Sequence, residues 1–153
     1  MENDSPIPVL VLFGPTASGK TDLLLRMFGS GSAKFCDAEI VSADSMQVYR
    51  GMDIGTAKPS AEERSRLPHH LIDIRNPNEQ FSAGDFVRLA DEVIADIARR
   101  GALPEGNLGL RPRWRIPVVC GGTGFYLKNF ITGLPESPPS DAAIRDALRL
   151  ELV

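Results

Sequence analysis

Val9-Leu10-Val11-Leu12-Phe13-Gly14-Pro15-Thr16-Ala17-Ser18-Gly19-Lys20-Thr21 passes without a break from an apolar run into a turn and then into a lysine–hydroxyl pair. A short run of consecutive apolar residues suits a strand of a parallel sheet buried on both faces. The eight residues Gly14 to Thr21 fit the phosphate-loop spacing, with two glycines, the lysine and the hydroxyl residue in place. The chemistry requires that spacing. Glycine allows the tight turn, successive backbone N–H groups converge on phosphate oxygens, and the following helix adds the positive end of its dipole. Gly14, Pro15, Thr16, Ala17, Ser18, Gly19, Lys20 and Thr21 are therefore candidates for binding a pyrophosphate or nucleotide. Lys20 brings a mobile positive charge, and the Thr21 hydroxyl is a candidate ligand for Mg²⁺. The motif is specific for phosphate and nearly silent on its bearer, since kinases, nucleotide hydrolases and transferases with a pyrophosphate leaving group all use it.

Outward from the loop, strand and helix signals alternate. A helix is predicted from Lys20 to Phe28, closed by Gly29, and a strand from Glu39 to Ala43. A polar loop from Asp44 to Pro59 follows. Ser60-Ala61-Glu62-Glu63 has the capping-box pattern that opens a short helix. His70 to Ile74 reads as a third short strand. After Ser82-Ala83-Gly84-Asp85, the residues Phe86, Leu89, Ala90, Val93, Ile94 and Ile97 recur at helical spacing up to Gly101. Ile116 to Cys120 is the fourth strand, leading into Gly121-Gly122-Thr123-Gly124 and another helix. This alternation predicts an α/β fold, a phosphate-loop (P-loop) NTPase-like three-layer sandwich with a mainly parallel sheet. Residues 1–134 would form the core. Residues 135–153 read as a Pro/Ser linker and the start of an amphipathic helix, with Ile144, Ala147, Leu148 and Leu152 turned inward.

Asp44 follows the second strand, at the edge where open α/β sheets bind ligands. It can serve as a magnesium ligand, accept a proton from a nucleophile, or cap the backbone at Met46 or Gln47. Ser45, Gln47 and Tyr49 add hydrogen-bonding groups, and an amide such as Gln47 matches the edge of an adenine. His69 and His70, adjacent on a strand, would face opposite sides and so suit packing or hydrogen bonding better than shared metal ligation. Arg50 and Lys58 can contact phosphate, with a solvated loop charge as the other reading, and the cluster Arg99, Arg100, Arg111, Arg113 and Arg115 reads as a solvated surface loop rather than a dedicated RNA contact. Trp114, a lone aromatic in a basic loop, reads as packed, with stacking on a base as the alternative.

Composition sets the outer bounds. The 153 residues carry a formal charge of −3, with 42% hydrophobic and 24% charged residues, ordinary values for a globular domain. The acidic balance argues against a wholly basic nucleic-acid surface. Cys36 and Cys120 stand far apart, suggesting neither a zinc site nor a disulfide framework. The polar N-terminus does not resemble a secretory leader, and no apolar run approaches the roughly 18 residues of a membrane span. A cytoplasmic protein without membrane contact is expected.

Taken with Asp44-Ser45-Met46-Gln47-Val48-Tyr49-Arg50-Gly51-Met52-Asp53-Ile54-Gly55-Thr56-Ala57-Lys58-Pro59, Pro68-His69-His70-Leu71-Ile72-Asp73, Phe81-Ser82-Ala83-Gly84-Asp85-Phe86 and Gly121-Gly122-Thr123-Gly124-Phe125-Tyr126, the phosphate loop resembles the transfer-RNA dimethylallyltransferases, also called tRNA isopentenyltransferases. The blocks occur in that family's order and cover Pro8 to Leu134. The resemblance implies transfer of a dimethylallyl group from dimethylallyl pyrophosphate to N6 of an adenosine beside the anticodon of tRNA. It makes Asp44 the general base or acceptor for N6 and places Thr123 near substrate, so that both count as catalytic candidates. It makes Thr16 to Thr21 the donor site, with Mg²⁺ neutralising charge, and Asp44, Ser45, Met46 and Gln47 the stretch that touches the tRNA anticodon stem-loop. It also implies a longer chain: a helical tRNA-binding insertion beginning near residue 135, a closing strand, and a monomer when full length. The chain is therefore expected to be truncated and, alone, to be inactive in transfer. The loop Ala102 to Arg115 departs from the family by its length. Two alternatives stand beside this reading, a small-molecule kinase of the P-loop class and an adenylate isopentenyltransferase that prenylates a free nucleotide.

Overall fold

A computed structural model of the chain describes residues 6–29, 36–101, 114–135 and 142–151. The expectations for the linker, for most of the loop 102–115, for Arg111 and Arg113 and for the Trp114 side chain lie outside the described residues.

Four parallel strands form one sheet in the order β1-β4-β2-β3. They are β1 (Leu10–Phe13), β2 (Cys36–Ser42), β3 (His69–His70) and β4 (Trp114–Gly121). The helices are α1 (Lys20–Phe28), α2 (Ala61–Arg66), α3 (Ala83–Gly101), α4 (Gly124–Thr132) and α5 (Ala142–Glu151). The period-two alternation of the central strands sorts their side chains into two cores. Ala38, Ile40, Val118 and Cys120 pack against Leu24 and Leu25 of α1 and against Leu67 after α2. Val41, Ala43 and Val119 pack against Phe86, Ala90, Ile94 and Ile97 of α3 and Tyr126 and Leu127 of α4. Helices on both faces of a parallel sheet make the expected three layers.

Local chemistry explains the boundaries. Ser60 caps α2 with a complete capping box: its hydroxyl accepts from the Glu63 N–H, and the Glu63 carboxylate accepts from the Ser60 N–H. Of the predicted apolar face of α3, Phe86, Ala90, Ile94 and Ile97 are buried and Leu89 and Val93 partly buried, and Phe86 stacks on Tyr126 with ring centres 4.9 Å apart.

Three expectations require correction. β1 is not buried on both faces: among the described residues it is an edge strand paired only with β4, and Phe13 is 63% exposed. Only Leu12, and Val9 just before the strand, reach the cores. The third strand is His69–His70 rather than His70 to Ile74, because Leu71 and Asp73 adopt left-handed φ of 61° and 57°, which ends the extended run. In α5, Ile144, Ala147 and Leu148 are exposed rather than turned inward; Leu152 lies outside the described residues.

One crossing controls the geometry near the strand ends. Gly121, the last residue of β4, lies against Ala43, whose N–H donates to the Cys120 carbonyl at 2.8 Å and whose carbonyl accepts from the Thr123 N–H at 3.2 Å. A Cβ on Gly121 would overlap the Ala43 carbonyl oxygen, and that obstacle is backbone. Gly121→Ala is therefore expected to cost about 1–3 kcal/mol, the usual penalty of overpacking. Urea denaturation measures it, and an alanine variant as stable as the parent would contradict this account of the crossing.

Candidate active site

The phosphate loop occupies the turn between β1 and α1. Gly19 sits at the N-cap with φ 80°, a left-handed conformation that glycine adopts without penalty. The turn is tied to the sheet by the Gly14 N–H, which donates to the Gly121 carbonyl at 3.3 Å. Lys20 folds back over the turn and donates from Nζ to the Gly14 and Pro15 carbonyls at 2.8 and 2.6 Å, with the Ser18 hydroxyl at 3.5 Å. A cavity of about 410 Å³ opens above the loop, lined by Thr16, Ala17, Ser18, Gly19, Lys20 and Thr21. Gly14 and Pro15 shape the turn from behind and do not line it.

Asp44 lines the same cavity from the end of β2. Its Oδ1 accepts from the N–H groups of Met46 and Gln47 at 2.9 and 3.2 Å. The capping role is thus present, on one oxygen, and no hydrogen bond from a described residue engages Oδ2. Capping and cavity exposure coexist in the one side chain.

The neighbours of Asp44 divide differently from their order in sequence. Gln47 lines the cavity, but its amide is committed within the protein. The Ser42 hydroxyl donates to Oε1 at 3.0 Å, and Nε2 donates to the Thr56 and Ala57 carbonyls at 3.1 and 3.2 Å. These bonds fasten the far wall of the cavity to the end of β2, in place of a free amide edge for a base. Ser45 and Met46 do not line the cavity. The Ser45 N–H donates to Thr123 Oγ1 at 3.0 Å, and Met46 is exposed. Thr123 also stands behind the cavity: at the N-cap of α4 it holds Ser45, with its hydroxyl donating to the Ser45 hydroxyl at 3.3 Å. Its place is that of a support for the Asp44 turn.

Lys58 overturns the expectation of a solvated charge. Its side chain is 4% exposed, and Nζ donates to Asp53 and Asp73 at 2.7 Å each and to the Tyr49 carbonyl at 2.9 Å. Burial alone would discourage the ammonium, but the two carboxylates outweigh it and hold the Lys58 pKa above its usual value. Asp73 bonds Arg64 through its other oxygen at 3.0 Å. Burial would raise its pKa, yet the Lys58 and Arg64 partners keep it low. This network closes the loop Asp44 to Pro59 onto the turn after β3. Arg100 and Arg115 are likewise not solvated loop charges. They converge on Glu39 of β2, which is 4% exposed, at 2.8 and 2.9 Å.

Cys120 and His69 are among the lining residues that escaped sequence reasoning. Cys120 faces the cavity from the end of β4, where burial pushes its thiol pKa up to about 11, so it is a packing group rather than a nucleophile at neutral pH. His69 lines it from β3 while His70 turns to the other face and meets Glu39 at 2.7 Å, the opposite orientation expected of neighbours on a strand. The His69 Nδ1 lies 2.7 Å from the Leu67 carbonyl and so carries the hydrogen; burial lowers the ring's pKa, which keeps it neutral at pH 7. Position at the carboxyl end of a parallel strand was the signal available for both. Among the described residues no group of three His, Cys, Asp or Glu could enclose a metal. The hard oxygens of Thr21 and Asp44 facing one cavity do fit Mg²⁺, which takes few protein ligands and completes its shell with phosphate and water.

Known proteins resemble the chain along nearly its whole length. It is 50% identical over 148 residues to tRNA dimethylallyltransferase 2 of Geotalea daltonii, covering 97% of this chain and 40% of that protein. It is 48% identical over 144 residues to tRNA dimethylallyltransferase 1 of Citrifermentans bemidjiense, covering 94% and 41%. Among solved structures it superposes on the tRNA isopentenylpyrophosphate transferase of Bacillus halodurans with TM-score 0.66 at 39% identity, covering 96% of this chain and 43% of the other. A eukaryotic dimethylallyltransferase captured acting on tRNA gives TM-score 0.67 at 28% identity, covering 92% and 32%. The chain thus spans about two-fifths of the length of the curated relatives it matches. The family model described as IPP transferase matches residues 47–105 and 107–153, well over half of the sequence, and the chain belongs to that family.

Proposed function

We propose that the chain carries the donor-binding and amine-activating part of an enzyme that moves a dimethylallyl group from dimethylallyl pyrophosphate to N6 of an adenosine next to the anticodon in tRNA. The observation that carries this reading is the single cavity that takes a phosphate-loop turn on one side and Asp44 on another. Membership of the family, and relatives whose names give the same reaction, support it.

The residues divide the work as follows. Backbone N–H groups of Thr16 to Thr21 hold the pyrophosphate, and Lys20 exchanges its carbonyl partners for phosphate oxygens. Thr21, with phosphate oxygens beside it, would hold Mg²⁺, which supplies charge neutralisation on the leaving group. The new bond joins N6 to the allylic carbon as the bond from that carbon to the pyrophosphate oxygen breaks. An allylic carbon carries positive charge readily, so gripping the departing pyrophosphate lowers the barrier most. Asp44 Oδ2 accepts the hydrogen that N6 sheds, while Oδ1 keeps the turn in place. The target adenine must leave its stack to reach the cavity. Thr123, Ser45 and Gln47 serve by positioning Asp44.

Pyrophosphate binding to the chain tests the reading. Calorimetry is expected to give a single site that weakens at least tenfold in Lys20→Ala, equivalent to roughly 1.4 kcal/mol or more. Equal affinity in the two proteins would remove Lys20 from the phosphate site, and strong stabilisation by ATP with none by dimethylallyl pyrophosphate would turn the assignment toward a kinase.

A further inference from the structure

A second cavity, of about 430 Å³, lies across a wall formed by Lys58 and Pro59, which line both spaces. Its other lining residues include Arg50, Asp53, Ser60, Arg64 and Asp73. Three cations and two carboxylates leave it one positive charge in excess, and the hydrogen bonds decide where that excess sits. Lys58 has spent all three of its donors on Tyr49, Asp53 and Asp73. Asp73 has spent both oxygens, one on Lys58 and one on Arg64. Arg50 has no carboxylate partner among the described residues; its NH1 donates to the neutral amide oxygen of Asn76 at 3.1 Å. The side chain stays exposed at the cavity. Arg64 uses one nitrogen on Asp73 and keeps its side chain 36% exposed. Asp53 gives one oxygen to Lys58 and stays 65% exposed, so the cavity presents outward the guanidinium N–H of Arg50 and Arg64 beside one carboxylate edge.

We propose that this second cavity binds a backbone phosphate of the RNA strand next to the adenosine being modified, through Arg50 with Arg64 beside it. The proposal rests on the reading given under Proposed function, since it takes the first cavity to receive the adenine. A planar guanidinium offers paired donors to two phosphate oxygens. A strand whose base enters the first cavity carries its neighbouring phosphodiester past the shared wall. Such a contact fixes register without reading sequence. It also supplies a local positive site on a chain whose net charge is −3.

The test measures binding of a short single-stranded RNA containing one adenosine to the chain by fluorescence anisotropy across salt concentrations. Each phosphate contact contributes about 0.7 to the slope of log affinity against log salt for a single strand. Arg50→Gln is expected to lower that slope by about 0.7, and Arg50→Lys, which keeps the charge, to restore most of it. Arg50 is exposed and makes no ion pair among the described residues, so neither change threatens the fold. Inorganic phosphate at matched ionic strength is expected to leave the RNA slope unchanged. Equal slopes for the parent and Arg50→Gln, or absence of any RNA binding by the parent, would each overturn the proposal. Pyrophosphate titration of the same samples separates the two readings. If pyrophosphate binds normally while the RNA slope ignores Arg50, only the second cavity's role is lost; if pyrophosphate does not bind, the donor site fails first.

Discussion

Asparagine in place of Asp44, in a form extended to the length of its relatives, is expected to keep the donor bound and to slow transfer by roughly 10²- to 10⁴-fold, the usual weight of a positioned acid or base. The substitution is chosen for what it preserves. An asparagine oxygen can still accept from the Met46 and Gln47 N–H groups that now bind Oδ1 at 2.9 and 3.2 Å. The turn therefore stays closed, and the change falls on the charge. Asp44→Ala removes the cap as well, adding a stability cost of about 1 kcal/mol. Comparing the two separates the structural role of the side chain from its chemistry. The measurements are single-turnover transfer to an anticodon stem-loop, donor affinity by calorimetry, and thermal denaturation. A full rate in the asparagine variant would leave Asp44 as a capping residue and no more. A rate lost together with donor affinity would mean that the carboxylate acts on the pyrophosphate side instead.

The parts of this molecule legible in the sequence are those written in short-range patterns. The phosphate loop, the capping box at Ser60 and the apolar face of α3 each depend on residues a few positions apart, and each stands where its spacing put it. Burial that depends on a distant neighbour was not legible. The apolar run in β1 suits a strand covered on both sides, yet its exposure is set by its place at the sheet edge, which no local pattern encodes. Leu71 ends β3 through a left-handed φ with no turn signature of its own, and Asp73, a type that tolerates that conformation, follows it. The site shows the same division. That Asp44 meets the phosphate loop follows from both lying at carboxyl ends of parallel strands. That Gln47 is spent on Thr56 and Ala57, or that Lys58 is buried, depends on how a polar loop folds back on itself. Charges in such a loop look solvated until their partners are known.

Glu39 shows how far such a hidden partnership can carry stability. It is 4% exposed, within a strand between apolar neighbours, and its carboxylate receives Arg100 from the end of α3, Arg115 from β4 and His70 from β3. Three elements thus depend on one charge. Glu39→Gln keeps the shape and removes the charge, leaving Arg100 with Asp96 alone and Arg115 without its counter-ion. Breaking a buried pair in this way costs about 3–5 kcal/mol. The arginines are 39% and 32% exposed, so water recovers part of their loss and the lower end, near 3 kcal/mol, is the expected figure. For a chain of this size that is a fall in Tm of roughly 6–12 °C. The pH dependence provides an independent check. Burial would raise the Glu39 pKa, but its hydrogen bonds to Arg100 and His70 outweigh that and hold it below the ordinary value of 4.5. A carboxyl whose pKa is lower folded than unfolded stabilises fully above the unfolded value and loses that contribution as pH falls through the folded one. The gap between the parent and Glu39→Gln should therefore be full at neutral pH and close progressively below 4.5. Urea denaturation from neutral pH down into the acid range follows it. A gap that stays constant with pH would show that the cost of the substitution comes from packing, and that the ion cluster contributes little to holding β2, β3, β4 and α3 together.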